Sequence, residues 1–150
     1  MTLDHQSIIE KKVKLQQAIR VLEDLGGRTL ENLQKDEIEM GAVLHYLALG
    51  IESILDIGSH ILTEDFGTSP QTYEEVIQLL GQKKVISMEL AKQSSGIGKF
   101  RNKMIHEYSH INFEKVYGYL QKTPKELKRF DQAFSRYLKK RKKSKGVNSI

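Results

Sequence analysis

At 150 residues with 39% hydrophobic content, the chain carries enough apolar material for one domain with a modest core. It contains no cysteine, which excludes disulfides, thiolate metal sites and a cysteine nucleophile. The formal charge is +5, and much of the excess falls in the block from Arg136 to Lys145, where lysines and arginines can neutralise phosphates.

Two prolines and the absence of sustained β-branched alternation predict an all-helical protein. From about Ser7 to Leu25, Ile9, Val13, Ala18, Ile19, Leu22 and Leu25 mark one apolar face, and Gly26-Gly27 ends that helix with a left-handed cap. A second helix is expected to start near Thr29 as N-cap, with an acidic first half (Glu31, Asp36, Glu37, Glu39). Its second half, from Val43 to Leu62, is apolar on more than one side, the pattern of the central helix of a bundle. Gly67-Thr68-Ser69-Pro70 reads as a loop, with Pro70 in the first turn of the helix carrying Tyr73, Val76, Ile77 and Leu80. The stretch Val85 to Ala91 runs into Gly96 and Gly98, which mark a kink or a close approach by another backbone. Asn112 is the expected N-cap of a helix carrying Phe113, Val116, Tyr117 and Leu120. Thr123-Pro124 is expected to open a last helix, on which Leu127, Phe130, Phe134 and Leu138 recur at three or four residues. There is no leader-like stretch and no apolar run of membrane-spanning length, so the expectation is a cytoplasmic protein without a membrane partner.

Chemistry concentrates in Phe100-Arg101-Asn102-Lys103-Met104-Ile105-His106-Glu107-Tyr108. Ile97, Phe100, Met104, Ile105 and Tyr108 recur at helical spacing, and on that helix Arg101 and His106 point about 140° apart. They can form two shoulders of one groove but not touch, so a second helix or a second subunit has to close it. An imidazole titrates near neutrality and can take or give a proton in phosphodiester cleavage. A guanidinium can hold a phosphate bidentately and stabilise the charge of a pentavalent transition state. Asn102 is placed to orient either the imidazole or the phosphate. Glu52, Asp56 and His60 recur every four residues and line one stripe of the central helix, read as a polar, partly buried stripe and not as a metal site.

The phrase Arg-x4-His-x-Tyr resembles the signature of the HEPN superfamily, in particular its HepT-like branch of ribonuclease toxins. Ile51 to Ile61 is similar to that family's second-helix phrase, and Pro70-x-x-Tyr73 before an apolar helix fits it as well. The resemblance implies an antiparallel α-helical bundle that dimerises and places two Arg101/His106 pairs in a shared cleft. It implies a metal-independent endoribonuclease with no cofactor, Arg101 and His106 catalytic and Asn102 supporting. It further implies a nucleotidyltransferase antitoxin, MntA-like, that silences the toxin by moving AMP to Tyr108. The domain is expected to span 1–135, with 136–150 a basic tail. The alternative function is a non-catalytic HEPN protein that binds nucleotide or substrate beside a nucleotidyltransferase. A DNA-binding reading through the tail lacks a recognition helix.

Overall fold

A computed structural model describes residues 4–106, 110 and 112–144. Among them there is no strand, and seven helices form an antiparallel bundle: α1 (His5–Leu25), α2 (Leu30–Lys35), α3 (Glu37–Phe66), α4 (Tyr73–Gln82), α5 (Met88–Gln93), α6 (Ile97–His106) and α7 (Phe113–Ser144). α3 is the axis. It contacts α1, α2, α4, α6 and α7, and Val43, Leu47, Ile51, Ile57, Ile61 and Leu62 on it are fully buried. By length and composition α3 is also the one described helix long and apolar enough to cross a membrane, contrary to the expectation that no such run exists. Half of that stretch is buried against the other helices, which accounts for its apolar character.

Side-chain caps set most helix starts. Asp4, Thr29, Asp36, Thr72 and Ser87 each accept a hydrogen bond from a backbone N–H in the first turn of the helix they precede. Asn112 does the same for α7, accepting from the N–H groups of Glu114 and Lys115. Asp36 divides what the sequence reads as one long second helix. Its backbone is extended (φ −116°, ψ 98°), so α2 stops there and α3 begins. Thr72, and not Pro70, opens α4, because its hydroxyl reaches the N–H of Glu75 while Glu75 accepts from Gln71 N–H. α1 ends at Gly26, which is right-handed (φ −63°). The left-handed glycine cap lies instead at Gly67 (φ 61°), after α3.

Two apolar expectations fail for the same reason. Ile9 and Val13 are 54% and 59% exposed, and Ile8 and Leu15 take the buried positions on α1. At about 100° per residue, Ile8, Leu15, Ile19, Leu22 and Leu25 make one stripe, and Ile9 with Val13 falls on a neighbouring one. Ile105 on α6 is likewise exposed, beside buried Ile97, Phe100 and Met104. At the other end of the chain, α7 passes through Pro124 and through residue 136 without a break. Thr123 and Pro124 are both buried inside it, so Thr123-Pro124 does not open a helix. Tyr137 and Arg141, within the expected tail, fold back on α3: the Tyr137 hydroxyl donates to Asp65 Oδ2 at 2.6 Å and Arg141 Nε donates to the same oxygen at 2.7 Å.

Candidate active site

α6 is short, and two contacts and a turn fix how it lies. Phe100 stacks on Tyr119 of α7, with ring centroids 3.6 Å apart and planes 8° from parallel. A turn over Ser94 to Gly96 separates it from α5. Gly98 lies against α4 so closely that a Cβ there would stand 2.6 Å from Cβ of Tyr73. The close approach expected near the glycines is therefore real at Gly98.

That placement aims Arg101 at α3. Its side chain is 17% exposed and forms an ion pair with Glu52, in which Nε and Nη2 both donate to Oε1, Nε at 3.0 Å. Nη1 donates to Asn102 Oδ1 at 3.1 Å, and the guanidinium lies 5.4 Å from the ring centroid of Tyr73. Asn102 thus supports the guanidinium and not the imidazole. His106 ends the described part of α6 and is exposed. Five residues further along the helix, it stands about 7.5 Å further up the axis and about 140° around it from Arg101, so the two side chains do not meet. Tyr108 lies outside the described residues.

The rest of the polar stripe disperses. Glu52 is taken by Arg101, and His60 Nε2 accepts from the N–H of Asp4 at 3.2 Å. Asp56 stands between two grooves. One, of about 400 Å³, is lined by Ser59, Thr72, Tyr73 and Asn102; the other, of about 270 Å³, by Lys11, Lys14 and Glu52. Although partly exposed, the Asp56 carboxyl is raised above its ordinary range, first by desolvation. Glu52 adds to the rise, and Lys11, Arg101 and Lys14 oppose it. Among the described residues no group of three or more histidines and carboxylates converges to hold a metal ion.

What sequence reasoning missed is the partnership of Glu52 and Tyr73 with Arg101. Both residues are visible in the sequence, Glu52 in the four-residue stripe and Tyr73 at the start of its helix. Their convergence on a guanidinium 49 positions from Glu52 depends on how α3, α4 and α6 pack.

A family model described as HepT-like, ribonuclease HepT-like, matches residues 15–134. The tRNA nuclease HepT of Aphanizomenon flos-aquae is 32% identical over 106 residues, covering 63% of this chain and 71% of that protein. Two solved structures share the fold. YutE of Bacillus subtilis, described as a cytosolic protein of unknown function, matches at a TM-score of 0.81 and 20% identity, covering 98% of this chain and 96% of that one. The tri-AMPylated HEPN toxin of Shewanella oneidensis, in complex with its MNT antitoxin, matches at 0.76 and 22% identity, covering 86% and 96%. With four-fifths of its length under the family model, the chain belongs to the HepT-like ribonuclease family.

Proposed function

We propose that this ribonuclease cuts RNA without a metal ion at the groove flanked by Arg101 and His106, working as a homodimer in which two such grooves share one cleft. Arg101 holds the scissile phosphate, with Asn102 fixing the guanidinium plane. His106 takes the proton of the ribose 2′-hydroxyl as the 2′-oxygen attacks phosphorus. The 5′-oxygen leaves and picks up a proton from the second His106 of the cleft. The products are a 2′,3′-cyclic phosphate and a free 5′-hydroxyl. The observation that carries this reading is the held guanidinium: a partly buried Arg101, oriented by Glu52 and by Asn102, which itself lines an open groove, is pre-organised in a way that a free surface arginine is not.

The exposed Ile9 and Val13 offer a second copy apolar area outside the core. A toxin of this kind is kept silent by a nucleotidyltransferase antitoxin that transfers AMP to Tyr108, and both act in the cytoplasm. Replacing His106 by Ala is expected to lower RNA cleavage by at least about 10²-fold, and Arg101→Ala by about 10²- to 10³-fold, with melting temperature and dimerisation kept for His106→Ala. Cleavage is expected to persist in excess EDTA. Full activity of His106→Ala sinks the mechanism, and wild-type protein that binds RNA yet never cuts it supports the non-catalytic binding role instead.

A further inference from the structure

The charge around the cleavage groove is poorly suited to attracting a polyanion. The groove of about 400 Å³ beside Asn102 has Asp56 as its one charged lining residue, and Arg101, hydrogen-bonded to Asn102, is already paired with Glu52. The chain's positive excess lies elsewhere, where the turn between α4 and α5 faces the end of α7. Two adjoining grooves of about 420 and 380 Å³ meet there and share Lys84, Tyr137 and Lys140. Lys83 and Arg136 stand on their rims, and all four cations are exposed. Among the described residues none of Lys83, Lys84, Arg136 and Lys140 has a carboxylate within ion-pair distance. The one acidic residue lining either groove, Asp65, is engaged by Tyr137 and Arg141. Aromatic surface interleaves with these charges: Phe66 and Tyr137 lie 6.3 Å apart, and Lys83 Nζ stands 5.7 Å from the Phe66 ring centroid.

Lys84 adds an independent observation. It occupies the position after the cap of α4 in a full Schellman arrangement, with Lys84 N–H donating to Gly81 O and Val85 N–H to Leu80 O. That position requires the left-handed region, and Lys84 adopts it at φ 62°, the one described non-glycine residue to do so. Glycine fits there without strain. The fold therefore carries a strained lysine at the point where two unpaired basic rims meet.

We infer that this α4–α5/α7 groove is a remote docking track for the phosphate backbone of a folded RNA substrate, separate from the groove where cleavage occurs. The inference rests on the ribonuclease reading above and adds to it the part of the protein that supplies affinity. Along α3, Asp65 at the track lies thirteen residues beyond Glu52 at the cleavage groove, about 20 Å along the axis and about 140° around it. An RNA of a few nucleotides cannot reach both. A folded RNA can, and its remote contacts then contribute binding that the mixed-charge cleavage groove lacks. The preference is for folded over short RNA, set by reach and charge and not by base sequence.

The test uses the full chain in a His106→Ala background, so that binding is read without cutting. A tRNA transcript and a short single-stranded oligoribonucleotide are titrated by fluorescence anisotropy across a salt series. Lys84→Gly with Lys140→Gln is expected to weaken tRNA binding about tenfold at low salt and to reduce the slope of log affinity against log salt by about 2, one for each phosphate no longer neutralised. Binding of the short oligonucleotide is expected to stay unchanged. The melting temperature of Lys84→Gly is expected to hold or to rise by up to about 3 °C, because the strain is removed, so a loss of RNA binding cannot be put down to a damaged fold. Unchanged tRNA affinity and slope overturn the inference. So does equal weakening of both RNAs, which places the effect at the cleavage groove, and so does normal tRNA binding with lost antitoxin binding, which makes the track a protein surface. If the wild-type chain cuts no RNA, the catalytic reading falls while these binding results still decide the track.

Discussion

In the proposed mechanism Arg101 holds the scissile phosphate, and its environment has two opposing effects on that role. Glu52 holds the guanidinium in place, yet its carboxylate occupies Nε and Nη2, the edge that a phosphate would take bidentately. It also sets a negative charge against an incoming negative one. At a few ångströms in a wet groove that repulsion is worth about 1 kcal/mol, or roughly fivefold in affinity. Glu52→Gln keeps an oxygen for the guanidinium and removes the charge. RNA is then expected to bind about fivefold more tightly, read as a lower KM, while kcat falls because the guanidinium is less firmly held. A KM that is unchanged or raised shows that Glu52 does not compete with substrate. Ionisation is pulled in opposite directions nearby, since the same Glu52 that pairs with Arg101 helps to raise Asp56.

At the scale of elements, the helices were largely legible in the sequence and their exact faces and joints were not. Periodicity places apolar residues on a helix but does not say which of two neighbouring stripes meets the core. On α1 that choice falls to Ile8 and Leu15, because α3 and α7 arrive on their side. Pro124 shows a second limit. An interior proline costs about 3 kcal/mol and removes one backbone hydrogen bond, so local reasoning ends a helix there. α7 nevertheless runs through, because Val116, Leu120, Leu127, Phe130 and Phe134 bury one continuous stripe on both sides of the proline, and the burial of each is worth ~1.5–3 kcal/mol. Asp36 works the other way: its side chain caps α3 so well that an apparently single helix divides. The Arg-x4-His helix was visible from its residues, whereas its placement depends on contacts that sequence only hints at, among them Gly98 on Tyr73. Gly98→Ala would press a methyl into the Cβ of Tyr73, an atom with no freedom to swing aside, so α6 must shift. A loss of about 1–3 kcal/mol in stability is expected, together with a fall in kcat as Arg101 leaves its station. In Gly58→Ala the nearest obstacle is the tip of the Leu80 side chain, so a milder loss with kcat retained is expected. Equal kcat for wild type and Gly98→Ala shows that the α4–α6 contact does not set the geometry of Arg101.

For the molecule as a whole, the separation of charge suggests how it is controlled. The basic grooves at the end of α7 share no lining residue with the groove beside Asn102, so on the proposed reading covering the latter need not prevent RNA from docking at the former. On that reading silencing is most direct at Arg101 itself, a cation held by Glu52 and mostly enclosed. Tyr108 lies two residues after His106 in the sequence, and AMP on its phenol carries a phosphate of the same charge as Glu52 and the scissile group. That phosphate is expected to compete for Arg101 while the adenosine fills space the substrate needs. Co-expression with a catalytically competent nucleotidyltransferase partner is expected to give protein bearing one or more AMP units at Tyr108 by mass spectrometry, inactive on RNA but still able to bind tRNA through the α7 track. Tyr108→Phe removes only the acceptor oxygen and is expected to stay folded, to cut RNA and to escape silencing by the same partner. If Tyr108→Phe is silenced as fully as wild type, control lies in stoichiometric binding of the partner over the cleft, and its inhibition then has to track partner concentration instead of AMP content.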